Sequence, residues 1–340
     1  MDLELTHEQQ LLAESVQQLL SQNTGPQAWP ALVEFGAMDV AAGDDVGAVE
    51  LALVARELGL RLEATPFIDT CATAYAARGT ALAEALDGRT VALALLEPGG
   101  SWSLDEPAAT LAGKTVDGRK VALGVDEVDA VVVLAEQAGT RQLAVVPIGH
   151  GVTASPVLWI DEWLAPAVVT FEDARADAVH VADEVLPRLM AIGGVLAAAE
   201  ATGAAAGVLE LARRYAGERR QFGRTIGSFQ ALRHLLADMY VKQDSSWSTV
   251  LFAAAALEES ADDALRTAAI AKAFVSRAAQ EVAQAALQVF GGIAFTAEHP
   301  AHRYLRRIIA RGQQFGDARH HERLIGRALV GATDPVGAAR

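Results

Sequence analysis

The sequence predicts an α+β protein that is mostly helical and has three parts. These are an N-terminal helical domain over residues 1–88, a small middle β-barrel or β-sandwich domain over 89–178, and a C-terminal four-helix bundle over 179–340. Apolar residues recur at helical spacing in the first and last parts, and strand-like runs separated by turn residues are confined to the middle. Because helices and strands do not alternate along the chain, a Rossmann-type fold is disfavoured.

The first part shows helical periodicity from its beginning. Leu11, Leu12, Val16, Leu19 and Leu20 recur at helical spacing, and the stretch GAVELALVARELGLRL repeats the pattern. Pro66, in the stretch TPFIDT, marks a break before an alanine-rich helical segment. The sequence therefore predicts several packed helices before residue 89.

After residue 89 the sequence pattern changes from helical spacing to short strand-like runs. TVALALLEP is strand-like, and the stretches AVVVLA, RQLAVVPI and PAVVTFED follow with turn residues between them. Asp117-Gly118 lies between two short runs in KTVDGRKVAL and predicts a hairpin turn. After residue 189 the chain is again helical, and one helical face contains Phe229, Leu232, Leu235, Leu236 and Met239.

Composition restricts the function classes. The formal net charge of −15 argues against nucleic acid or an anionic membrane surface as the main partner. We expect a soluble cytoplasmic protein, because no apolar run reaches the roughly 20 residues of a membrane span and the first residues do not resemble a signal peptide. The single cysteine, Cys71, excludes an internal disulfide framework, and we expect it to be buried and inert. No metal site is predicted, since the adjacent His320 and His321 would point about 100° apart on a helix and are expected on the surface.

The stretch YAGERRQFGRTIGSFQ joins two predicted helices. Gly223 is expected to end the first, with Arg219 and Arg220 in its last turn. The two arginines, together with Gln221 and Phe222, could hold an anion beside a flat ring. They could equally offset the dipole of the helix, and the residues leave both interpretations open.

A second stretch, LQVFGGIAFTAEHPAHRYLRR, also places glycines and a polar side chain between predicted helices. Gln288 precedes the pair Gly291-Gly292, and paired glycines between helices allow a ligand to approach the backbone closely. The alternative is an ordinary helix end followed by a turn. In the first stretch, Ser228 is expected to cap the helix that follows.

Together these two stretches resemble the C-terminal signature of the acyl-CoA dehydrogenase family, and the order of helices, strands and helices resembles that family's plan. The resemblance implies FAD as the cofactor, held mainly by the neighbouring subunit. It implies that Arg219 meets the pyrophosphate and that Gln221 and Phe222 lie beside it. It further implies that Gln288, Gly291 and Gly292 hold the adenosine diphosphate part, while Gln230 either contacts the cofactor or braces the loop.

The family's flavin-facing elements are altered. The turn that members write as TEPGAGSD is LLEPGGSWSLDEP here, with only Glu97, Pro98 and Gly99 retained. The strand that members write as WITN corresponds to VALGVDEV, which has neither Trp nor a hydroxyl. The glycine-rich loop near the substrate channel is represented only by the shorter GAMDVAAGDDVGAVE.

The family's catalytic base is missing from both of its usual positions. The reaction requires a carboxylate in a dry pocket to take the α proton, but one position falls on Phe315 and the other near Gly193. Asp317 is a weak candidate, since its alternative role is to cap the helix that starts at GDARHHERL. Glu200 could be a buried polar group or lie at a subunit contact, with catalysis the least favoured role.

These features predict one subunit of a heteromeric acyl-CoA dehydrogenase, resembling the shorter subunit of actinobacterial α2β2 enzymes. A partner subunit would supply the Glu, the substrate would be an acyl-CoA that could bear a steroid side chain, and an electron-transfer flavoprotein would accept the electrons. Three alternatives stay open: a homo-oligomer that uses Asp317, a flavin monooxygenase or nitroalkane oxidase relative, and a scaffold subunit without catalysis.

Overall fold

The computed structural model describes residues 4–43, 47–99, 104–259 and 263–330. Its N-terminal helices are α1 (His7–Gln22), α2 (Ala28–Glu34), α3 (Ala37–Ala42), α4 (Ala48–Arg61), α5 (Phe67–Ala77) and α6 (Ala81–Leu86). Helix α1 begins with a capping box, in which the Thr6 hydroxyl accepts from the backbone N–H of Gln9 and the Gln9 amide oxygen accepts from that of Thr6. The predicted break lies at Pro66, the residue that precedes α5.

The middle of the chain forms the predicted sheet. Its strands are β1 (Val91–Ala94), β2 (Thr110–Ala112), β3 (Thr115–Leu123), β4 (Ala130–Gln137), β5 (Thr140–Pro147), β6 (Val152–Pro156), β7 (Pro166–Arg175) and β8 (Ala178–Val181). Within the described ranges, they form one eight-stranded sheet in the order β6-β7-β3-β2-β4-β5-β8, and β1 pairs in parallel with β4. Successive residues of β4 face different sides: Val132 packs into the main core and Val131 into a second, smaller core. The strand is therefore apolar throughout, because both of its faces are buried.

The hairpin predicted at Asp117-Gly118 is wrong. Strand β3 continues through both residues, and the turn lies at Gly113-Lys114, between Ala112 and its paired residue Thr115. Gly118 is required for a different reason, since a Cβ there would lie 2.8 Å from the Cα of Ala109. The register of β3 against β7 shifts at this point, as in a β-bulge.

The C-terminal part is the predicted helical bundle. It consists of α7 (Ala182–Glu218), α8 (Gln230–Glu258), α9 (Ala264–Phe290) and α10 (Ala301–Gln313), and α11 (Ala318–Val330) packs against α9. Helix α7 is long and apolar enough to span a membrane, but nearly all of its most apolar window is buried inside the protein. This helix is the centre of the molecule, packed against α4, α5, α8, α9 and α10.

Helices α4 and α7 cross at unusually short range because of two glycines. A Cβ on Gly59 would lie 1.9 Å from the carbonyl oxygen of Glu200, and one on Gly203 would lie 1.9 Å from that of Arg56. This crossing joins the N-terminal helices to the bundle. The fold class predicted from the sequence is confirmed, whereas the predicted domain boundaries stay predictions.

Candidate functional site

The segment between α7 and α8 is a small hairpin rather than the predicted helix end. Helix α7 stops at Glu218, and strands β9 (Arg220–Gln221) and β10 (Arg224–Thr225) pair in antiparallel fashion. The turn residues Phe222 and Gly223 both have positive φ, +52° and +79°, as a type I′ turn requires. Arg219 and Arg220 therefore lie outside the helix, and Gly223 serves the turn instead of ending α7.

The hairpin presents an aromatic ring and unpaired guanidinium groups to solvent. Phe222 is 91% exposed. Among the described residues, Arg219, Arg220 and Arg224 have no carboxylate partner, whereas Arg213, six residues before Arg219, is paired with Glu210. Unpaired positive charge on a protein of net charge −15 favours an anionic ligand at this hairpin.

The beginning of α8 adds to the same surface. Gln230 is the first residue of α8 and is exposed, and the preceding Phe229 provides no side-chain cap. The predicted cap at Ser228 is wrong, because its hydroxyl donates to the carbonyl of Thr225. The free N–H groups of the helix start therefore stay available to a negatively charged group. Gln221 lies on the hairpin itself, where its side-chain amide donates to the carbonyl of Arg220 at 2.8 Å.

The second motif forms an open turn at the end of α9. Gly291 has φ +67° and follows Phe290 directly, and a Cβ on either Gly291 or Gly292 would meet no heavy atom within 4 Å. Gln288 is exposed on the last turn of α9. The turn therefore offers backbone and an amide side chain to a ligand without steric obstruction.

The two motifs lie at the same end of the bundle. Helices α7 and α9 both finish there, and the ring of Tyr215, one turn before Arg219, packs 5.3 Å from the ring of Phe290. The fold thus brings together the residues that the sequence singled out as a cofactor clamp. We call this surface, formed by 219–224, Gln230, Gln288 and 291–292, the clamp.

The two positions at which family members place the catalytic Glu are in contact with each other. Phe315 is buried with φ +59°, and a Cβ on Gly193 would lie 2.3 Å from its ring. A phenyl ring packed on a glycine therefore occupies the space, and neither position provides a carboxylate.

Asp317 has the geometry of a helix cap. Its carboxylate accepts from the backbone N–H of His320 at 2.8 Å, at the start of α11. It lines a cleft of about 300 Å³ between α9, α10 and α11. His321 is buried rather than on the surface as expected, and its Nε2 lies 2.9 Å from the carbonyl oxygen of Phe315.

Glu200 is held in a buried ionic cluster. Its carboxylate pairs with Arg307 at 2.9 Å and with Arg311 at 3.0 Å, and Arg307 also pairs with Asp161 at 2.5 Å. All four side chains are at most 4% exposed. Each carboxylate oxygen of Glu200 is paired with a buried guanidinium group of α10, so the role of Glu200 is structural.

Asp69 is a buried carboxylate that no motif of the sequence indicates. It accepts from the N–H of Leu93 at 3.0 Å and from the side-chain amide of Gln314 at 2.8 Å. Burial raises the pKa of its carboxyl to about 6, with Leu93 and Arg311 opposing that rise. The available signal was an Asp in the first turn of a mostly apolar helix.

Glu97, the acid retained in the altered turn, has a structural role. Glu97 pairs with the buried Lys120 of β3 and also accepts from the N–H of Ala108 at 3.1 Å. The loop after β3 continues through Gly124, which has φ +59° and no side chain that could contact a ring. Residues 100–103 of the altered turn and 44–46 of the shortened glycine-rich loop lie outside the described ranges.

The sequence and structure match known proteins. The profile described as acyl-CoA dehydrogenase, C-terminal domain, matches residues 185–330. The chain is 29% identical over 343 residues to the acyl-CoA dehydrogenase IpdE2 of Mycolicibacterium smegmatis, which covers 94% of this chain and 98% of the relative.

Two solved structures share its fold. The ChsE4-ChsE5 complex from Mycobacterium tuberculosis gives a TM-score of 0.84 at 24% identity, covering 98% of this chain and 100% of the compared chain. A Tcur3481-Tcur3483 steroid ACAD variant gives a TM-score of 0.84 at 24% identity, covering 95% and 98%. The helical, sheet and helical layers are the fold that these structures share with this chain. Residues 185–330 match the acyl-CoA dehydrogenase C-terminal domain, and the chain as a whole is similar to acyl-CoA dehydrogenases.

Proposed function

We propose that this chain is one subunit of a heteromeric, FAD-dependent acyl-CoA dehydrogenase and completes a flavin site whose catalytic Glu belongs to a partner subunit. The observation that supports this is that the chain has the residues of the clamp but no carboxylate at either usual position of the base. The clamp is exposed, positively charged and unobstructed, while Phe315 packed on Gly193 fills both usual positions of the base.

The residues of the clamp fit the adenosine diphosphate part of FAD. Arg219 has no carboxylate partner among the described residues, and a guanidinium suits paired phosphate oxygens. Phe222 and Gln221 would lie beside the pyrophosphate. Gln288 and the open backbone of 291–292 would hold the nucleotide end, with Gln230 contributing from the start of α8.

The chemistry of the complex follows from its cofactor and its partner. Bound FAD supplies the hydride acceptor for introducing an α,β double bond into an acyl-CoA. In our proposal the clamp residues of this chain orient the cofactor, and the partner's carboxylate takes the α proton. An electron-transfer flavoprotein is the proposed electron acceptor.

The proposed assembly is α2β2 and cytoplasmic, and the proposed substrate class is a bulky acyl-CoA such as a steroid side-chain thioester. The complex named for ChsE4-ChsE5 and the steroid assignment of the Tcur3481-Tcur3483 protein support this direction.

Substitution of Arg219 tests the clamp. We expect Arg219→Ala to weaken FAD retention in the assembled complex about tenfold to a hundredfold, the range for losing a charge-assisted phosphate contact. Equilibrium dialysis with absorbance near the flavin band measures it. Arg213→Ala is the matched control, because Arg213 is also exposed but is already paired with Glu210.

Arg220 provides a second comparison. It is the first residue of β9, next to Arg219 in an extended chain, so the two side chains point to opposite sides. We therefore expect Arg220→Ala to weaken FAD retention less than Arg219→Ala. Flavin affinity that Arg219→Ala leaves unchanged would show that the hairpin is only a loop.

The subunit purified alone tests the heteromer. We expect a colourless protein that acquires flavin absorbance only with its partner. A yellow homo-oligomer reduced by acyl-CoA would instead place the whole reaction in this chain.

A further inference from the structure

Helices α8 and α9 each carry a line of exposed residues that includes a glutamine of the clamp. On α9, Ile270 lies 18 residues before Gln288, about five helical turns, so the two side chains point to the same side. On α8, Val241 and Phe252 follow Gln230 at intervals of 11 residues, about three turns each. Both lines therefore run from the clamp along one side of their helix.

The two lines face the same side of the helix pair. Lys242, the neighbour of Val241 on α8, pairs with Glu281 of α9 at 2.5 Å, and Glu281 lies about two turns before Gln288. The ion pair thus bridges the two lines. We call this surface the α8–α9 face and define it by six exposed residues: Val241, Ser248, Phe252, Ile270, Phe274 and Glu281.

Large apolar side chains lie exposed on the α8–α9 face. Val241 is 61% exposed, and Phe252, Ile270 and Phe274 are 41–43% exposed. Single exposed apolar residues are normal on a protein surface. Here, however, four of them lie on the same side of two neighbouring helices, the kind of arrangement that marks a site of protein association.

The charges of this face are already balanced within the chain. The three exposed charged residues of α9 each form an ion pair, at 2.5–2.7 Å: Arg266 with Asp263, Arg277 with Glu322, and Glu281 with Lys242. Charged residues are depleted at the centre of protein interfaces, and a charge that is covered without a partner is costly. The face is therefore suited to cover by an apolar protein surface, whereas the clamp is suited to an anion.

The dimensions of the face suit a stable subunit interface. The 22 residues from Arg266 to Gln288 extend about 33 Å, and two neighbouring helices are about 20 Å wide. The projected area of about 650 Å², taken together with the clamp, approaches the roughly 800 Å² that each partner contributes to a standard interface.

We propose that the α8–α9 face is the surface on which the flavin-holding partner subunit docks. This docking role rests on the proposed function, in which FAD reaches Arg219 from a neighbouring subunit. A subunit that places its cofactor on the clamp extends over the adjoining surface, and the face adjoins the clamp at both Gln230 and Gln288. A second copy of this chain fits the role less well, because it would bring another Phe315 where the base is required.

Two substitutions on the face test the docking role. Phe274→Glu places a charge where an apolar contact is expected, and Ser248→Arg adds bulk and charge at an exposed position without removing an apolar side chain. The probe is the dehydrogenase subunit that gives this chain its flavin on coexpression, and sedimentation velocity in excess FAD measures the association. We expect each variant to associate at least about tenfold more weakly than the wild type, because an unpaired charge is poorly tolerated inside an interface.

Leu11→Glu is the matched control, since Leu11 is 48% exposed on α1, outside the α8–α9 face. We expect this variant to associate as the wild type does. If the wild type gains flavin from the partner but both face variants associate equally well, the docking role is refuted and the proposed function stands.

Two further outcomes would also overturn the docking role. A wild-type chain that binds FAD alone and associates with no other dehydrogenase subunit would remove the proposed function and the docking role together. A homodimer of this chain that Phe274→Glu and Ser248→Arg both dissociate would show that a second copy occupies the face.

Discussion

Phe222 has a backbone conformation that is unfavourable for a bulky residue. A bulky residue at φ +52° is strained, and this one is 91% exposed, with an edge-on contact to Phe229 at 6.1 Å between ring centroids. The two-residue turn between β9 and β10 keeps Phe222 in this conformation and leaves its ring in solvent. The ring is therefore suited to contact something outside this chain, as the proposed flavin role requires.

Asp317 permits a direct test of where the base lies. We expect Asp317→Asn to leave turnover of the assembled complex largely intact, because the carboxylate caps α11 and Asn caps a helix about as well as Asp. Steady-state acyl-CoA oxidation measures the effect.

Loss of a general base would reduce turnover by roughly 10²–10⁴-fold, so the two outcomes are well separated. Replacing the partner's proposed Glu is the positive control and should abolish activity. A collapse of turnover in Asp317→Asn with flavin still bound would place the active site in this chain.

Among the elements, α7 determines how the parts fit together. It contacts α4 across the reciprocal glycines Gly59 and Gly203, and its C-terminal end supports the hairpin of the clamp. Glycine disfavours a helix by about 1 kcal/mol relative to alanine, so its presence here reflects the close approach of two backbones.

Two glycines of the same helix give opposite predictions. Gly203→Ala should destabilise the protein by about 1–3 kcal/mol or more, since its Cβ would meet backbone atoms of Arg56 that cannot move alone. Gly217→Ala, where nothing lies within 4 Å, should stabilise it by roughly 0.5–1 kcal/mol. Denaturant unfolding of both variants measures the difference, and equal effects would contradict the role of the crossing.

At the scale of the whole molecule, a chain of buried polar contacts links all three parts. It runs from Asp161 before β7 through Arg307, Glu200 and Arg311 of the bundle, and then through Gln314 to Asp69 of α5. Breaking a buried pair on one side leaves a charge without compensation, whereas the intact pair adds little net stability. These contacts therefore specify one arrangement of the parts more than they stabilise it.

The pH dependence of stability tests the burial of Asp69. Its pKa rises from 3.8 to about 6 on folding, so between these values the folded state binds more protons than the unfolded state. The contribution of Asp69 to the free energy of unfolding is therefore fully present below about pH 4 and is lost as the pH rises through 6. The loss is about 3 kcal/mol for a shift of some two pKa units.

Comparison with Asp69→Asn isolates this contribution. His321 acts oppositely in the same window, because burial lowers its pKa to about 4, so the wild-type curve alone is not diagnostic. We expect the stability of the wild type relative to Asp69→Asn to fall between pH 4 and pH 7, measured by urea unfolding at each pH. A difference that does not change with pH would show that Asp69 titrates normally.

Several features could be predicted from the sequence alone because they depend on local patterns. Helical and strand-like periodicity placed the three parts in order, and the two motifs with their glycines and arginines indicated the resemblance to acyl-CoA dehydrogenases. Counting along the chain also placed the missing base at Phe315 and near Gly193, and these two residues are in contact.

Other features depended on contacts between residues distant in the chain, and only the tertiary structure decided them. A dipeptide such as Asp117-Gly118 is compatible with a turn, but pairing with β7 and close packing on Ala109 keep it in a strand. The role of Glu200 depends on Arg307 and Arg311, more than 100 residues away. Asp69 is likewise buried only because α5, β1 and α10 converge around it. Its burial, and the partners that offset the cost of burial, are properties of the folded chain.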